Sequence, residues 1–326
     1  MHLRNVEIFC EVVSLRSFSK AAEVHHVSQS SASQAVHQLE KRLETQLIDR
    51  SKRPLELTAA GRIYYEGCRD LLEGFRQIED QVREAKDQVA GRVRVAAIYS
   101  VGLLQMDAYV KQFEERYPET ELQLEYLHPE DVYDRVLQDA ADIGLVSFPK
   151  DGGEIGCIPW LEQEMVLVVP PAHRLAGEPW TPVEELNGER FVGFTAELTI
   201  RRQIDRWLRQ AKVAVQVVHE FDNIENIKRA VEIGAGIALL PAPTVRRECE
   251  SGSLWAVQLA LDNHPPDKPL WRRPLGIVHK RHKTLSTAAI KFVELLHEEP
   301  DSLTGTSPSE KKAKSQRRSS RRQAVS

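Results

Sequence analysis

Apolar side chains recur at helical spacing from the start of the chain. Val6, Phe9 and Val13 define one face, widened by Ile8 and Val12, and a stripe of that kind predicts an amphipathic helix. Ser17 or Ser19 can cap a second, short helix holding Ala21, Ala22 and Val24. A third begins near Ser28 and turns Ala32, Val36, Leu39 and Leu43 to one side. The residues HHVS between the last two leave room only for a tight turn, so the pair matches a helix-turn-helix. RSKRPLEL, residues 50 to 57, is too short and Pro-broken for a helix and predicts a two-stranded wing with a basic tip.

A longer pattern follows. Thr58 can cap a helix running to about Gln88, along which Tyr64, Cys68, Leu71, Phe75, Ile78, Val82, Ala85 and Val89 fall at alternating gaps of four and three. A straight helix drifts off such a stripe, whereas two supercoiled helices keep it facing a partner. The stripe therefore predicts a dimer arm, with packing against the chain's own core as the competing reading. Gly67 and Gly74 each weaken this helix by about 1 kcal/mol, so packing must hold it together.

Beyond Gly91 the period changes. VRVAAI (93–98), LQLEY (122–126), DIGLV (142–146), MVLVV (165–169), FVGF (191–194), VQVV (215–218), IALL (237–240) and LGIV (275–278) read as strands. Helices fall between them: one from Ser100 to Tyr117, one opened by Pro129, and two near 199–211 and 223–233. Such alternation predicts α/β structure with mainly parallel sheets. Its length suggests two lobes, the first about 91–168 and 275–300, the second about 169–274. The expected organisation is a head over 1–58, a linker helix over 59–90, a two-lobed region over 91–300 and a disordered basic tail over 301–326.

Charge narrows the possibilities. A net charge of −4 over 326 residues excludes a basic nucleic-acid coat and restricts any DNA site to a local, salt-sensitive patch. Cys10, Cys68, Cys157 and Cys249 are far apart, without CxxC or metal spacing, which points to reduced thiols and no metal. The N-terminus lacks a charged segment followed by an apolar run, and no stretch approaches membrane-spanning length. A cytoplasmic protein with no membrane partner is expected. No GxSxG, HExxH, P-loop or strand-borne GxGxxG is present, so the sequence offers no enzyme motif and no cofactor site.

The third helix is unusual at its start. SQSSASQ, residues 28 to 34, crowds hydroxyl and amide groups into the first two turns, where they are mediocre helix formers. In a helix-turn-helix those turns face the major groove. Ser28 would cap the helix, while Gln29, Ser30, Ser33, Gln34 and His37 share an outward face opposite Ala32, Val36 and Leu39. Arg50, Lys52, Arg53 and Pro54 at the wing would touch phosphates or the minor groove. A simple solvated face with a good cap is the plainer alternative.

With these pieces in place the chain resembles a LysR-type transcriptional regulator over residues 1 to about 300. FSKAAEVHHVSQSSASQAVHQLEKRLETQLIDRSKRPLELTAAG (18–61) carries an SF-x-x-AA second helix, VSQ at the turn, LE-x-x-L, L-x-x-R and LT-x-AG; VEIGAGIALLP (231–241) is similar to the family's effector-domain segment. The resemblance implies an N-terminal winged helix-turn-helix and a long linker helix, followed by a two-lobed α/β effector domain built like a periplasmic binding protein. It also implies a homodimer or homotetramer that binds double-stranded DNA and senses a small molecule, with RNA polymerase a further candidate partner. Ser30 stands where relatives often have Pro and Gln34 where they often have Arg, so no operator sequence carries over. Gln suits an adenine edge.

Ligands in open α/β folds gather beyond strand C-terminal ends, near helix N-termini. Ser100, His128, Thr195, Thr199 and Asn223 occupy such places and would suit an anionic effector; Ser100, Thr199 and Asn223 could instead merely cap helices. A thiol-based redox sensor using Cys157 and Cys249 is the alternative regulator, against which both are ordinary buried cysteines.

Overall fold

The computed structural model describes residues 3–52, 54–84, 89–261 and 268–298. Arg53, Ala85 and the 301–326 tail lie outside the described residues. The chain divides into two compact units, Met1–Gln88 and Val89–Ser326.

The first unit comprises α1 (Leu3–Leu15), α2 (Phe18–Val24), α3 (Gln29–Leu43), β1 (Ile48–Asp49), β2 (Glu56–Leu57) and α4 (Ala59–Glu84). Ser17 caps α2 by accepting from the Lys20 N–H, and Ser28 caps α3 by accepting from the Ser31 N–H. His26, at φ 51°, turns the chain between them. The core joins Val6, Phe9 and Val12 of α1 to Ala21 and Ala22 of α2, Ala32, Val36 and Leu39 of α3, and Leu47 and Ile48. The wing is shorter than expected and begins earlier, since only Ile48–Asp49 and Glu56–Leu57 pair.

One loop end organises this unit. The Leu47 carbonyl accepts from the Thr58 N–H, while the Thr58 hydroxyl donates to Gln46 O at 2.7 Å and accepts from the Gly61 N–H at 2.9 Å. That is the physical content of LT-x-AG: a threonine that ties the wing's return to the start of α4, and a glycine that lets a carbonyl in. A Cβ at Gly61 would lie 1.9 Å from Leu47 O. Gly61→Ala is therefore expected to destabilise the first unit by about 3 kcal/mol, the upper range for overpacking, read as a lowered urea midpoint. An unchanged midpoint would show that the loop yields freely.

The second unit comprises β3 (Gly91–Ile98), α5 (Tyr99–Arg116), β4 (Thr120–Leu127), α6 (Pro129–Leu137), β5 (Ile143–Ser147), β6 (Ile155–Val169), β7 (Trp180–Pro182), β8 (Arg190–Phe194), α7 (Thr199–Gln210), β9 (Gln216–Phe221), α8 (Ile224–Glu232), β10 (Ala238–Pro241), α9 (Arg246–Ser251), β11 (Trp255–Ala260), β12 (Arg272–Lys280) and α10 (Thr287–His297). The main sheet has the order β4-β3-β5-β12-β6-β11-β7, with β10 also on β6; β8 and β9 form a parallel pair. Two cores result. One gathers β3, β5, α5, α6 and α10 around Phe113 and Phe292. The other gathers β8, α7, α8 and β10 around Phe191 and Ile204.

The expected mainly parallel sheet needs correcting. β3 is parallel to β4 and β5, but β12 runs antiparallel to both β5 and β6, and β10 and β11 are antiparallel to β6. The expected strand 165–169 is the end of a 15-residue strand that runs from one core to the other. Pro159 and the polar run Glu162 to Glu164 hid its first ten residues. Pro159 is accommodated because the register between β6 and β12 shifts there, between Leu275 and Gly276. β7 and β11 were not anticipated; β11 gains its place by pairing with β6 and β7.

Candidate functional site

On α3 the inward positions Ala32, Ala35, Val36 and Leu39 are buried. Gln29, Ser30, Gln34 and His37 are exposed and Ser33 is half-buried. Ser28 is committed to the helix itself, its hydroxyl also meeting those of Ser30 and Ser31 at 2.8 Å. Among the described residues Gln29, Ser33, Gln34 and His37 form no side-chain hydrogen bond, so their polar groups are unspent.

The wing is less free than the sequence implies. The Arg50 guanidinium donates to Glu40 at 2.9 Å and lies over the Phe18 ring. Lys52 pairs with Glu56, and Pro54 is exposed beside them. Glu40, buried on α3, also accepts from the Leu47 and Ile48 N–H groups. Its carboxylate thus fixes the angle between helix and wing, a role that LE-x-x-L shows only as a spacing.

Along α4 the predicted stripe divides. Cys68 is buried, and Tyr64 packs on Phe9 with ring centroids 5.6 Å apart, so these two serve the first unit's own core. Leu72, off the stripe, is buried there too. Leu71, Phe75, Ile78 and Val82 are instead exposed, as is Ile63.

In the second unit a cavity of about 460 Å³ opens between the two cores. Ser100, His128, Thr199 and Asn223 all line it; Thr195 does not. The Thr195 hydroxyl is buried without a partner, and the carbonyl of that residue accepts from the Leu198 N–H. Four helices begin at the cavity. Asn223 caps α8 through the Asn226 N–H, whereas α5, α6 and α7 have no side-chain cap, with Ile98, His128 and Leu198 at their cap positions. Ser100 and Thr199 are thus inside their helices rather than capping them. Three helix starts without a side-chain cap thus bring backbone N–H groups, with their positive partial charge, to the cavity.

Its deepest polar group is one that sequence reasoning missed. Arg273 on β12 is 2% exposed and lines the cavity. It faces Gln163 across the β6–β12 ladder, donates to the Gln163 amide oxygen at 3.2 Å and to the Ser100 hydroxyl at 2.6 Å, and its Nε has no partner. Among the described residues no carboxylate pairs with it. Burial pushes its pKa down to about 9, which leaves it charged at neutral pH. A buried cation held by two neutral groups lacks a counter-charge. The signal was present: WRRPLGIV places Arg273 on the same strand face as Leu275 and Ile277, an inward position that arginine rarely takes.

An aromatic stack backs one lining residue. Phe148, in left-handed backbone at φ 49°, lines the cavity and packs on Trp207, which stacks on Trp271 at 5.4 Å. The cysteines point away from redox chemistry. Cys157 packs on one core and Cys249 on the other, and burial pushes both thiols up, opposite to what a reactive thiolate needs. No group of three or more metal-ligating side chains occurs, and no helix is long and apolar enough to cross a membrane, among the described residues.

Known proteins share this architecture. Residues 3–62 match the description "Bacterial regulatory helix-turn-helix protein, lysR family" and residues 86–301 match "LysR substrate binding domain". The uncharacterized HTH-type transcriptional regulator YeiE of Escherichia coli (strain K12) is 31% identical over 292 residues, spanning 90% of this chain and 96% of that one. A full-length OxyR variant from Pseudomonas aeruginosa superposes with a TM-score of 0.70 at 21% identity, covering 91% of this chain and 93% of that one. Full-length CbnR complexed with its target DNA gives 0.61 at 17% identity, covering 91% and 99%. The two matches together span the helix-turn-helix unit and the two-lobed unit that follows it, and the chain belongs to the LysR family of bacterial regulatory helix-turn-helix proteins.

Proposed function

We propose that α3 reads an operator in the major groove, that α4 pairs two copies so that two heads reach successive half-sites, and that a small anion in the inter-lobe cavity biases their geometry. One observation carries the DNA-binding half: Gln29, Ser33, Gln34 and His37 turn unspent polar groups outward from a helix whose opposite side buries Ala32, Ala35, Val36 and Leu39 and leaves only its last apolar residue, Leu43, exposed. Residues left unsatisfied toward water on the second helix of a helix-turn-helix are what base edges require. Dimeric heads reach half-sites about one helical turn, ~34 Å, or a multiple apart, so the operator is an inverted repeat. CbnR, whose structure contains its target DNA, supports the mode of binding.

Gln34→Ala tests the readout. It is expected to weaken binding to a selected operator duplex by about 1–3 kcal/mol while leaving nonspecific binding nearly intact. Gel shifts at matched salt on operator and scrambled duplexes measure both. Equal losses on the two would mean that Gln34 touches only the backbone. Arg50 and Lys52, each already paired with a carboxylate, contribute to phosphate contact as part of a fixed wing rather than as free cations.

The effector half rests on Arg273, together with the uncapped starts of α5, α6 and α7. An anion seated there supplies the missing counter-charge and touches groups from both lobes. It therefore has differential contacts to offer a closed arrangement, without which no ligand can switch anything.

A further inference from the structure

The cavity is graded from bottom to mouth. At its base lies Arg273, 2% exposed. Around it stand Ile98, Phe194, Leu198 and Ile224, all 4–5% exposed and all lining the cavity. At the mouth Glu130, Glu197, Asp222 and Glu225 face two cations, Lys150 and Arg202, and all six are exposed. Glu225 is paired with Lys228 at 2.8 Å, whereas Glu130 and Glu197 have no ion-pair partner among the described residues. Arg202 donates to Thr199, and Lys150 lies over the Tyr133 ring.

Each layer excludes something. A bare inorganic oxyanion could satisfy Arg273 but would leave most of about 460 Å³, including the space beside the apolar collar, to water. A molecule anionic at both ends would satisfy Arg273 with one end and bring the other among carboxylates that outnumber the cations. We infer that the cavity takes an organic acid with a single anionic head, the head on the Arg273 guanidinium and the Ser100 hydroxyl, and an uncharged apolar body in the collar above. This rests on the reading of the cavity as the effector site and adds the chemical class of its occupant.

Calorimetric titration of the full chain at constant ionic strength tests the assignment, with two matched pairs (hexanoate and adipate, benzoate and terephthalate) and sulfate as probes. In each pair the monoacid is expected to bind about ten-fold more tightly than the diacid, and sulfate more weakly than either monoacid. Arg273→Met removes an uncompensated buried charge without leaving a hole, so it should fold, and it is expected to abolish monoacid binding; Arg273→Lys should restore part of it. The double variant Glu130→Gln, Glu197→Gln should narrow the gap within each pair by improving the diacid alone. Diacids binding as tightly as monoacids, or a gap unmoved by the double variant, would overturn the single-headed class. Sulfate binding alone would also overturn it while leaving an anionic effector in place. Monoacid binding undiminished in Arg273→Met would overturn the cavity reading itself.

Discussion

Replacing Ile78 and Val82 with aspartate is expected to convert the protein to a monomer and to weaken operator binding by about a hundred-fold or more. Leu71, Phe75, Ile78 and Val82 are 44–60% exposed in the single chain, on one face of a 26-residue helix. Fully burying each such side chain contributes roughly 1.5–3 kcal/mol, so about half of that remains to be gained by every one of them when a second α4 covers the stripe. Aspartate at two central positions forfeits the burial and sets charge against charge across the pair.

Loss of DNA binding follows from tethering. A paired second head binds at an effective concentration that raises the combined affinity by ~10²–10⁴, and that factor disappears with the dimer. The head should remain folded, because the described α4 residues in its core, Tyr64, Cys68 and Leu72 among them, all lie N-terminal to the two substitutions. Sedimentation reads the oligomeric state and circular dichroism reads the fold. A variant that still sediments as a dimer, or a monomer with undiminished operator binding, would remove α4 from the proposal.

Glu40→Ala is expected to cost the head about 3–5 kcal/mol, which is much of a small unit's whole stability. The carboxylate is buried, and it accepts from the Leu47 N–H at 3.0 Å, the Ile48 N–H at 3.3 Å and the Arg50 guanidinium at 2.9 Å. Truncation leaves two amides in the core's wall without an acceptor, each at about 1–3 kcal/mol, and frees the arginine that joins wing to helix. Glu40→Gln keeps one acceptor oxygen and should lose roughly half as much. Urea unfolding of residues 1–88 within the full chain, followed by a probe placed in the head, measures the difference. A shift below ~0.5 kcal/mol for Glu40→Ala would mean that water replaces the carboxylate at no cost.

The two head motifs show how far a sequence pattern carries. SF-x-x-AA, the HHVS turn and the Ser28 cap were readable because each is local. A cap needs only the next three residues, and a turn needs only its own backbone. LE-x-x-L and LT-x-AG were readable as text but not as physics. Glu40 and Gly61 both act on Leu47, which lies 7 and 14 residues away, and only the folded loop reveals that a carboxylate and a missing Cβ serve the same carbonyl-and-amide pair.

The stripe on α4 was legible in period but not in allegiance. Its spacing holds throughout, yet Tyr64 and Cys68 turn into the head while Leu71 to Val82 stay uncovered. Periodicity states that a face will be buried; it does not state against what. At the cavity four of the five positions expected from the sequence do line it, since helix starts after strands are predictable places for ligands. Thr195 failed because a strand end can turn its side chain away from the opening, and no residue pattern records that direction.

What the sequence determined by itself was local: helix periods, caps, the turn, and the strand–helix alternation that makes the second unit α/β. What tertiary structure decided was pairing across long separations. β6 and β12 lie more than a hundred residues apart, and their antiparallel crossing brings Arg273 beside Gln163 and beneath Ser100. Local interactions are encoded where they act, so short windows reveal them. The desolvation and missing counter-charge of a buried guanidinium exist only once distant strands have closed around it, and that closure is what turns an ordinary arginine into the seat of the cavity.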